Sequence, residues 1–194
     1  MLRTQLILKN IMKADEFDAI ADFMRYDFAT DNHFTELKEQ EIMKERLDLL
    51  KRTKTIAMVG VSAKKSRPSN FVATYLLSSS ADFEVFFVNP AEEEILGKPC
   101  YKSLSELPIV PDMVDAFRKP EDLPEVAKEA VDTGASSLWI QLGLWSVAAA
   151  EIALAGGLEL VMDRCIKIEH ARFHGGLHLA GFDTGVIDSR RMKT

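Results

Sequence analysis

The chain has 194 residues, 47% of them hydrophobic, and a formal net charge of -6. That length suits one domain of roughly 100–150 residues with an appendage, and an acidic field argues against a general binder of nucleic acid or membrane surfaces. The two cysteines, Cys100 and Cys165, are too few for a disulfide framework and fit a reducing cytoplasmic compartment, and no apolar run is long enough to span a bilayer.

Met1 to Ala14 carries Arg3, Lys9 and Lys13 without an acid, which leaves a mitochondrial targeting segment as the minor alternative. Lys13 to Ala29 places Phe17, Ile20, Met24 and Phe28 at helical spacing. Asp31-Asn32-His33 reads as a break, and Thr35 to Arg52 is helical again through Leu37, Met43, Leu47 and Leu50. Residues 1–52 are therefore expected to form a helical extension, its apolar stripes packed on the domain or on a second copy.

From Thr55 the pattern changes to short apolar runs alternating with helical stretches. Thr55 to Val59 reads as a buried strand ended by Gly60, and Ser69 can cap a helix through Phe71, Val72, Tyr75 and Leu76. Glu84 to Val88 is the second strand, stopped by Asn89-Pro90, and Met113 to Phe117 the third. Between them Pro99, Pro108 and Pro111 predict a loop-rich link with a short helix near Ser103 to Leu107. Pro124 to Asp132 is a helix with Gly134 just past its end. Leu138 to Gln141 is the fourth strand, Ser146 to Ala155 a helix closed by Gly156-Gly157, and Leu158 to Met162 the fifth strand. This alternation predicts an α/β fold, a Rossmann-like, doubly wound parallel sheet of about five strands over residues 53–169. Continuous apolar strands fit a sheet covered on both faces. After Asp163 the pattern fails, and residues 170–194 read as an irregular tail.

Ligands of open α/β sheets sit outside the carboxyl ends of the strands, which fixes the candidates. After strand one comes Gly60-Val61-Ser62-Ala63-Lys64-Lys65-Ser66-Arg67-Pro68. Its glycine permits a tight turn, and the following helix offers free N–H groups and a positive dipole end to phosphate. It is not the G-x-G-x-x-G fingerprint, because Ser62 and Lys65 stand at the second and third glycine positions. Instead Lys64, Lys65 and Arg67 gather three cations in an acidic protein. After strand two, Asn89-Pro90 lacks the carboxylate that a NAD site uses for ribose hydroxyls, while an NADP site can use cations. After the remaining strands come Phe117-Arg118, then Ile140-Gln141-Leu142, and finally Cys165, which is either a group at the pocket rim or a buried inert thiol. His170, His174 and His178 recur every four residues behind Cys165, but Gly175-Gly176 interrupts any helix joining them, and no metal is expected.

Taken in order, these blocks resemble the stand-alone CoA-binding proteins, relatives of the CoA-binding domain of the succinyl-CoA synthetase alpha subunit. The blocks are Val59 to Pro68, Val88-Asn-Pro90 with Ile95 to Lys98 and Tyr101 to Leu104, Val114-Asp115 with Phe117-Arg118, Leu138 to Gly143, and Val161 to Cys165. The resemblance spans about Lys54 to Glu169 and implies a Rossmann-like fold that binds coenzyme A or an acyl-CoA. It implies that Ser62 to Ser66 face the phosphates, with Arg67 and Pro68 continuing the loop. Asn89-Pro90 would lie near the adenosine, and Ile140, Gln141 and Leu142 would border the pantetheine path. Where the synthetase has a lysine soon after the strand-two proline, this chain has Ala91-Glu-Glu-Glu94, with Lys98 the nearest substitute. The chain is also too short for the synthetase's phosphohistidine domain, so ligase activity is not implied. The expected function is a non-catalytic CoA-binding or regulatory module. An NADP-dependent oxidoreductase on the same fold is the alternative, and an acyl-CoA enzyme using Cys165 or a histidine is a third. The expected partner is a small CoA ligand, with no nucleic acid and no membrane, and a homo-oligomer is possible.

Overall fold

In this computed structural model the chain is described over residues 7–8, 43–78 and 82–174. The expected helix from Lys13 to Ala29 lies outside the described residues. The elements in chain order are strand β1 (Ile7–Leu8), helix α1 (43–52), β2 (Thr55–Val59), α2 (Pro68–Ser78), β3 (Glu84–Val88), β4 (Glu94–Ile95) and β5 (Lys98–Tyr101). They continue with β6 (Met113–Ala116), α3 (Leu123–Thr133), β7 (Ser137–Ile140), α4 (Val147–Ala155), β8 (Glu159–Val161) and α5 (Ile166–His174). Turns of 3-10 helix cover Leu104–Glu106 and Pro120–Asp122.

All the strands join one sheet in the order β1-β8-β7-β6-β2-β3-β5-β4. The inner strands β8, β7, β6, β2, β3 and β5 run parallel, whereas β1 pairs antiparallel with β8 and β4 antiparallel with β5. Numbered along the chain, the parallel strands lie in the Rossmann order 3-2-1-4-5-6. The sheet thus has one parallel strand more than expected. The extra strand is β5, which pairs with β3 at Phe87↔Cys100 and Val88↔Tyr101. It was hidden because Pro99 reads as a breaker. A short strand towards the sheet edge tolerates a proline, since one missing N–H costs little there.

The N-terminal segment also departs from an all-helical extension. Ile7–Leu8 is extended and pairs with Val161 and Leu160, closing the otherwise open edge of β8.

Alternation along the strands sorts side chains to two faces. Ala57, Val59, Val114, Ala116, Leu138, Ile140 and Leu160 meet α3 and α4 through Leu123, Val126, Ala127, Ala149 and Ala153. Ile56, Met58, Phe87, Met113, Trp139 and Val161 meet α1, α2 and α5 through Leu49, Leu50, Val72, Leu76 and Ile166. The helix ends follow local chemistry. The Ser146 hydroxyl accepts from the Ala149 amide at 3.2 Å, and Gly134 closes α3 at φ 80 with its N–H on Ala130 and Val131 carbonyls. The expected irregular tail is helical as far as His174, so the 169/170 division falls inside α5.

Candidate functional site

The crossover after β2 leads into α2 on one face, and the one after β6 leads into α3 on the other. Their divergence opens a crevice at the carboxyl ends of β2, β3 and β6. A cleft of about 170 Å³ occupies it, lined by Gly60, Pro90, Lys102 and Arg118 and, from α3, Glu125 and Glu129. That is smaller than a pocket for a whole drug-sized ligand.

Gly60 shapes the floor. Its φ is +85, and a Cβ there would come 2.7 Å from the Phe117 carbonyl oxygen and 2.8 Å from Arg118 Cδ. Its N–H donates to the Val88 carbonyl at 2.8 Å, and the Phe117 N–H donates to the Val59 carbonyl at 2.8 Å. The ends of β2, β3 and β6 are thereby tied together under the loop.

Above this floor the loop is held by its own polar groups. The Ser62 N–H donates to Ser69 Oγ at 3.2 Å, the Lys64 N–H donates to Ser62 Oγ at 3.2 Å, and Asn70 Nδ2 donates to the Ser62 carbonyl at 2.9 Å. Asn89 Nδ2 donates to the Val61 carbonyl at 2.7 Å, while Asn89 Oδ1 accepts from the Ala91 N–H at 3.0 Å. Asn89 is therefore more than a turn former, because it fastens the strand-two turn to the first loop. The Ala63 N–H donates to Glu92 Oε1 at 3.0 Å. Val61 is buried, whereas Ala63, Lys64, Lys65, Ser66, Arg67 and Pro68 are exposed. Lys64, Lys65 and Arg67 stand at the start of α2 and are not among the residues lining the cleft.

The sequence reading missed Lys102, whose Nζ donates to the Glu92 carbonyl at 2.9 Å. It directly follows β5, the strand hidden by Pro99, so no strand end pointed to it. Arg118 lines the cleft with Nη2 3.1 Å from Asp122 Oδ2. Phe117 is half-buried against the α2 and α5 side of the core.

The other candidates lie deeper. Ile140 is wholly buried in the core. Gln141 is also buried, and its Nε2 donates to Asp115 Oδ1 at 2.6 Å. Asp115 is 0% exposed and its Oδ2 has no hydrogen-bond partner among the described residues, so burial pushes its carboxyl up to about 8 against the opposing pull of the Gln141 amide. Leu142 is half-buried in the turn where the Gly143 N–H donates to Asp163 Oδ1 at 2.6 Å. Cys165 is half-buried just before α5, its carbonyl accepting from the Glu169 N–H at 3.0 Å. Burial pushes its thiol up, opposed by the Ile168 and Lys167 amides that it meets.

His170 is buried, with Nδ1 2.9 Å from the Tyr75 hydroxyl and its ring edge-on to Phe83. Among the described residues no group of three or more His, Cys, Asp and Glu could hold a metal ion, and His178 lies outside those residues. No helix among them is long and apolar enough to cross a membrane.

A family model described as CoA binding domain matches residues 54–171, more than half of the chain and the whole parallel sheet. A second, described as a bacteriophage T4-like portal protein, matches residues 1–92, less than half of it. The uncharacterised protein YneT of Bacillus subtilis is 38% identical over 124 residues, 64% of this chain and 90% of that protein. A solved hypothetical protein of Pyrococcus horikoshii OT3 matches with TM-score 0.65 and 37% identity over 68% of this chain and 91% of its own. A dinucleotide forming acetyl-coenzyme A synthetase of Ca. Korarchaeum cryptofilum matches with TM-score 0.51 and 23% identity, over 59% of this chain and 27% of its own, a likeness of fold alone.

Proposed function

The chain belongs to the CoA binding domain family, and from that premise we propose that it binds coenzyme A or an acyl-CoA at the switch point, as a binding or regulatory module without catalysis of its own. The observation that carries the proposal is the placement of the Gly60 to Pro68 loop. It joins the carboxyl end of the first parallel strand to the amino end of α2, beside a cleft that holds Lys102 and Arg118. A helix amino end favours anions through its free N–H groups and dipole. Lys64, Lys65 and Arg67 stand at that end and suit a ligand carrying several phosphates. The kinship implied with succinyl-CoA synthetase belongs to the same proposal.

The non-catalytic part rests on the state of two groups that could do chemistry. Burial favours the neutral form of the Asp115 carboxyl and of the Cys165 thiol. A neutral thiol is a weak nucleophile, and a carboxyl held on Gln141 is not presented to the cleft.

Thermal unfolding with CoA, acetyl-CoA, NAD and NADP, one at a time, tests the reading. A ligand binding only the folded state at a hundred times its Kd adds about 2.7 kcal/mol, which raises Tm by about 5–10 °C at this size. We expect that rise with CoA species, and its loss when Lys64, Lys65 and Arg67 are all replaced by alanine. A rise with NADP and none with CoA would overturn the reading in favour of the oxidoreductase.

A further inference from the structure

The Glu92 carboxylate occupies an amide of the very loop that the proposed function assigns to phosphate. Glu92 Oε1 accepts from the Ala63 N–H at 3.0 Å, and the Glu92 N–H donates to the Asn89 carbonyl at 3.2 Å. Asn89 in turn holds the Val61 carbonyl. The half-buried carboxylate is thus fixed between the ends of the first and second parallel strands.

In this topology the end of the second strand is where an adenosine ribose is read. A carboxylate there accepts the ribose hydroxyls, and a cation there accommodates a ribose phosphate. Two lysines on this side each donate to main chain, and Lys102 also lines the cleft. Lys98 Nζ donates to the Val85 carbonyl at 3.2 Å, near the amino end of β3, and Lys102 Nζ donates to the carbonyl of Glu92 itself. Ala91, next to the strand-two proline, brings no charge, and Glu93 and Glu94 beyond it are exposed acids.

We propose that Glu92 is a specificity-determining residue that selects an adenosine diphosphate ligand whose ribose hydroxyls are free, and disfavours one bearing a ribose phosphate. The proposal rests on the CoA-site reading and narrows it, since coenzyme A carries a 3′-phosphate and its precursor form, dephospho-CoA, does not. Rejection comes from like charge. A carboxylate and a phosphate brought together near the protein surface repel enough to cost roughly tenfold in affinity. Rejection by a built-in repulsive group is as much a specificity device as a new contact.

Isothermal titration of the full chain with CoA and dephospho-CoA, and with NAD and NADP as a second pair, tests it. The wild type should bind dephospho-CoA roughly tenfold more tightly than CoA. Glu92→Gln should narrow the gap, and Glu92→Lys should reverse it. Circular dichroism and melting of each variant would confirm folding, and the isosteric Gln variant keeps the test sound if Lys disturbs the turn. Wild-type protein that binds CoA as tightly as dephospho-CoA, or more so, would sink the inference and leave the CoA reading intact. An unchanged ratio in both variants would remove Glu92 from the argument. If NAD is preferred to NADP through Glu92 and neither CoA form binds, the ribose inference stands and the CoA reading falls. If no nucleotide binds, both fall.

Discussion

Gly60 shows how one residue can serve the fold and the site together. Its positive φ is a conformation that L side chains rarely adopt, and the atom that a Cβ would meet at 2.7 Å is the main-chain oxygen of Phe117. Backbone cannot step aside as the end of a side chain can, so β2 and β6 would have to part. Gly60→Ala should lower stability by about 1–3 kcal/mol and abolish any CoA-dependent rise in Tm. Gly143 provides the control. Its φ is +84, but none of the described residues lies within 4 Å of its would-be Cβ, so Gly143→Ala should cost about 1 kcal/mol, from conformation alone. Urea denaturation of the two variants measures the difference, and equal costs would show that the contact with Phe117 is not what requires glycine. The turn at Gly60 was legible in the sequence. The approach of residues 117–118 was not, because it depends on the pairing of strands that no local pattern reports.

At the scale of elements, α5 is the helix that periodicity could not find, and its contacts say why. Ile166 is buried in the core, but the next turn is anchored by polar groups. Lys167 Nζ lies 3.7 Å from the Phe71 ring centroid, Glu169 accepts from Arg46 Nε at 2.9 Å, and His170 meets the Tyr75 hydroxyl. A helix fastened by ion pairs and rings carries no apolar stripe. The Arg46–Glu169 pair joins α1 to α5 with side chains 5% and 1% exposed. Breaking a buried pair by deleting one partner costs about 3–5 kcal/mol, because the survivor is left charged and desolvated. The two deletions should not be equal. Arg172 also approaches Glu169, at 3.8 Å, and the Arg164 guanidinium is held below its usual range by burial first and then by Arg46. Glu169→Gln leaves those arginines together without their acid, whereas Arg46→Met leaves Glu169 with Arg172. Glu169→Gln should therefore lower the urea midpoint further than Arg46→Met, and the reverse order would show that Arg46 packing outweighs the charge balance.

For the whole molecule, β2, β3, β6, β7 and β8 were readable because helices and apolar strands alternate with glycines and caps at the joints, whereas β4 and β5 were not. The alternation implied a parallel sheet, and the order of its strands came only with the structure. The site was readable only as far as strand ends were. Gly60, Pro90 and Arg118 follow strand ends and line the cleft, while Lys102 followed a strand concealed by Pro99. Nothing in the sequence marked Asp115 as ionisable trouble, since its burial arises only when β6 is enclosed by β2 and β7. That burial makes stability depend on pH, and the sign follows from where the proton sits. An unfolded aspartate loses its proton near 4, whereas the folded carboxyl keeps it until about 8. Below the first value both states hold the proton, so this group causes no pH dependence. Between the two the unfolded state holds fewer protons, and stability falls by about 1.4 kcal/mol per pH unit from this group alone. Above the second value the loss is complete. Asp115→Asn keeps the oxygen that accepts from Gln141 and cannot ionise. Its unfolding free energy should therefore be flatter than the wild type's from pH 5 to 8, with the variant gaining on the wild type steadily as pH rises. Denaturant titrations at several pH values measure this directly. Parallel curves for the two proteins would mean that the folded Asp115 carboxyl loses its proton near its unfolded value.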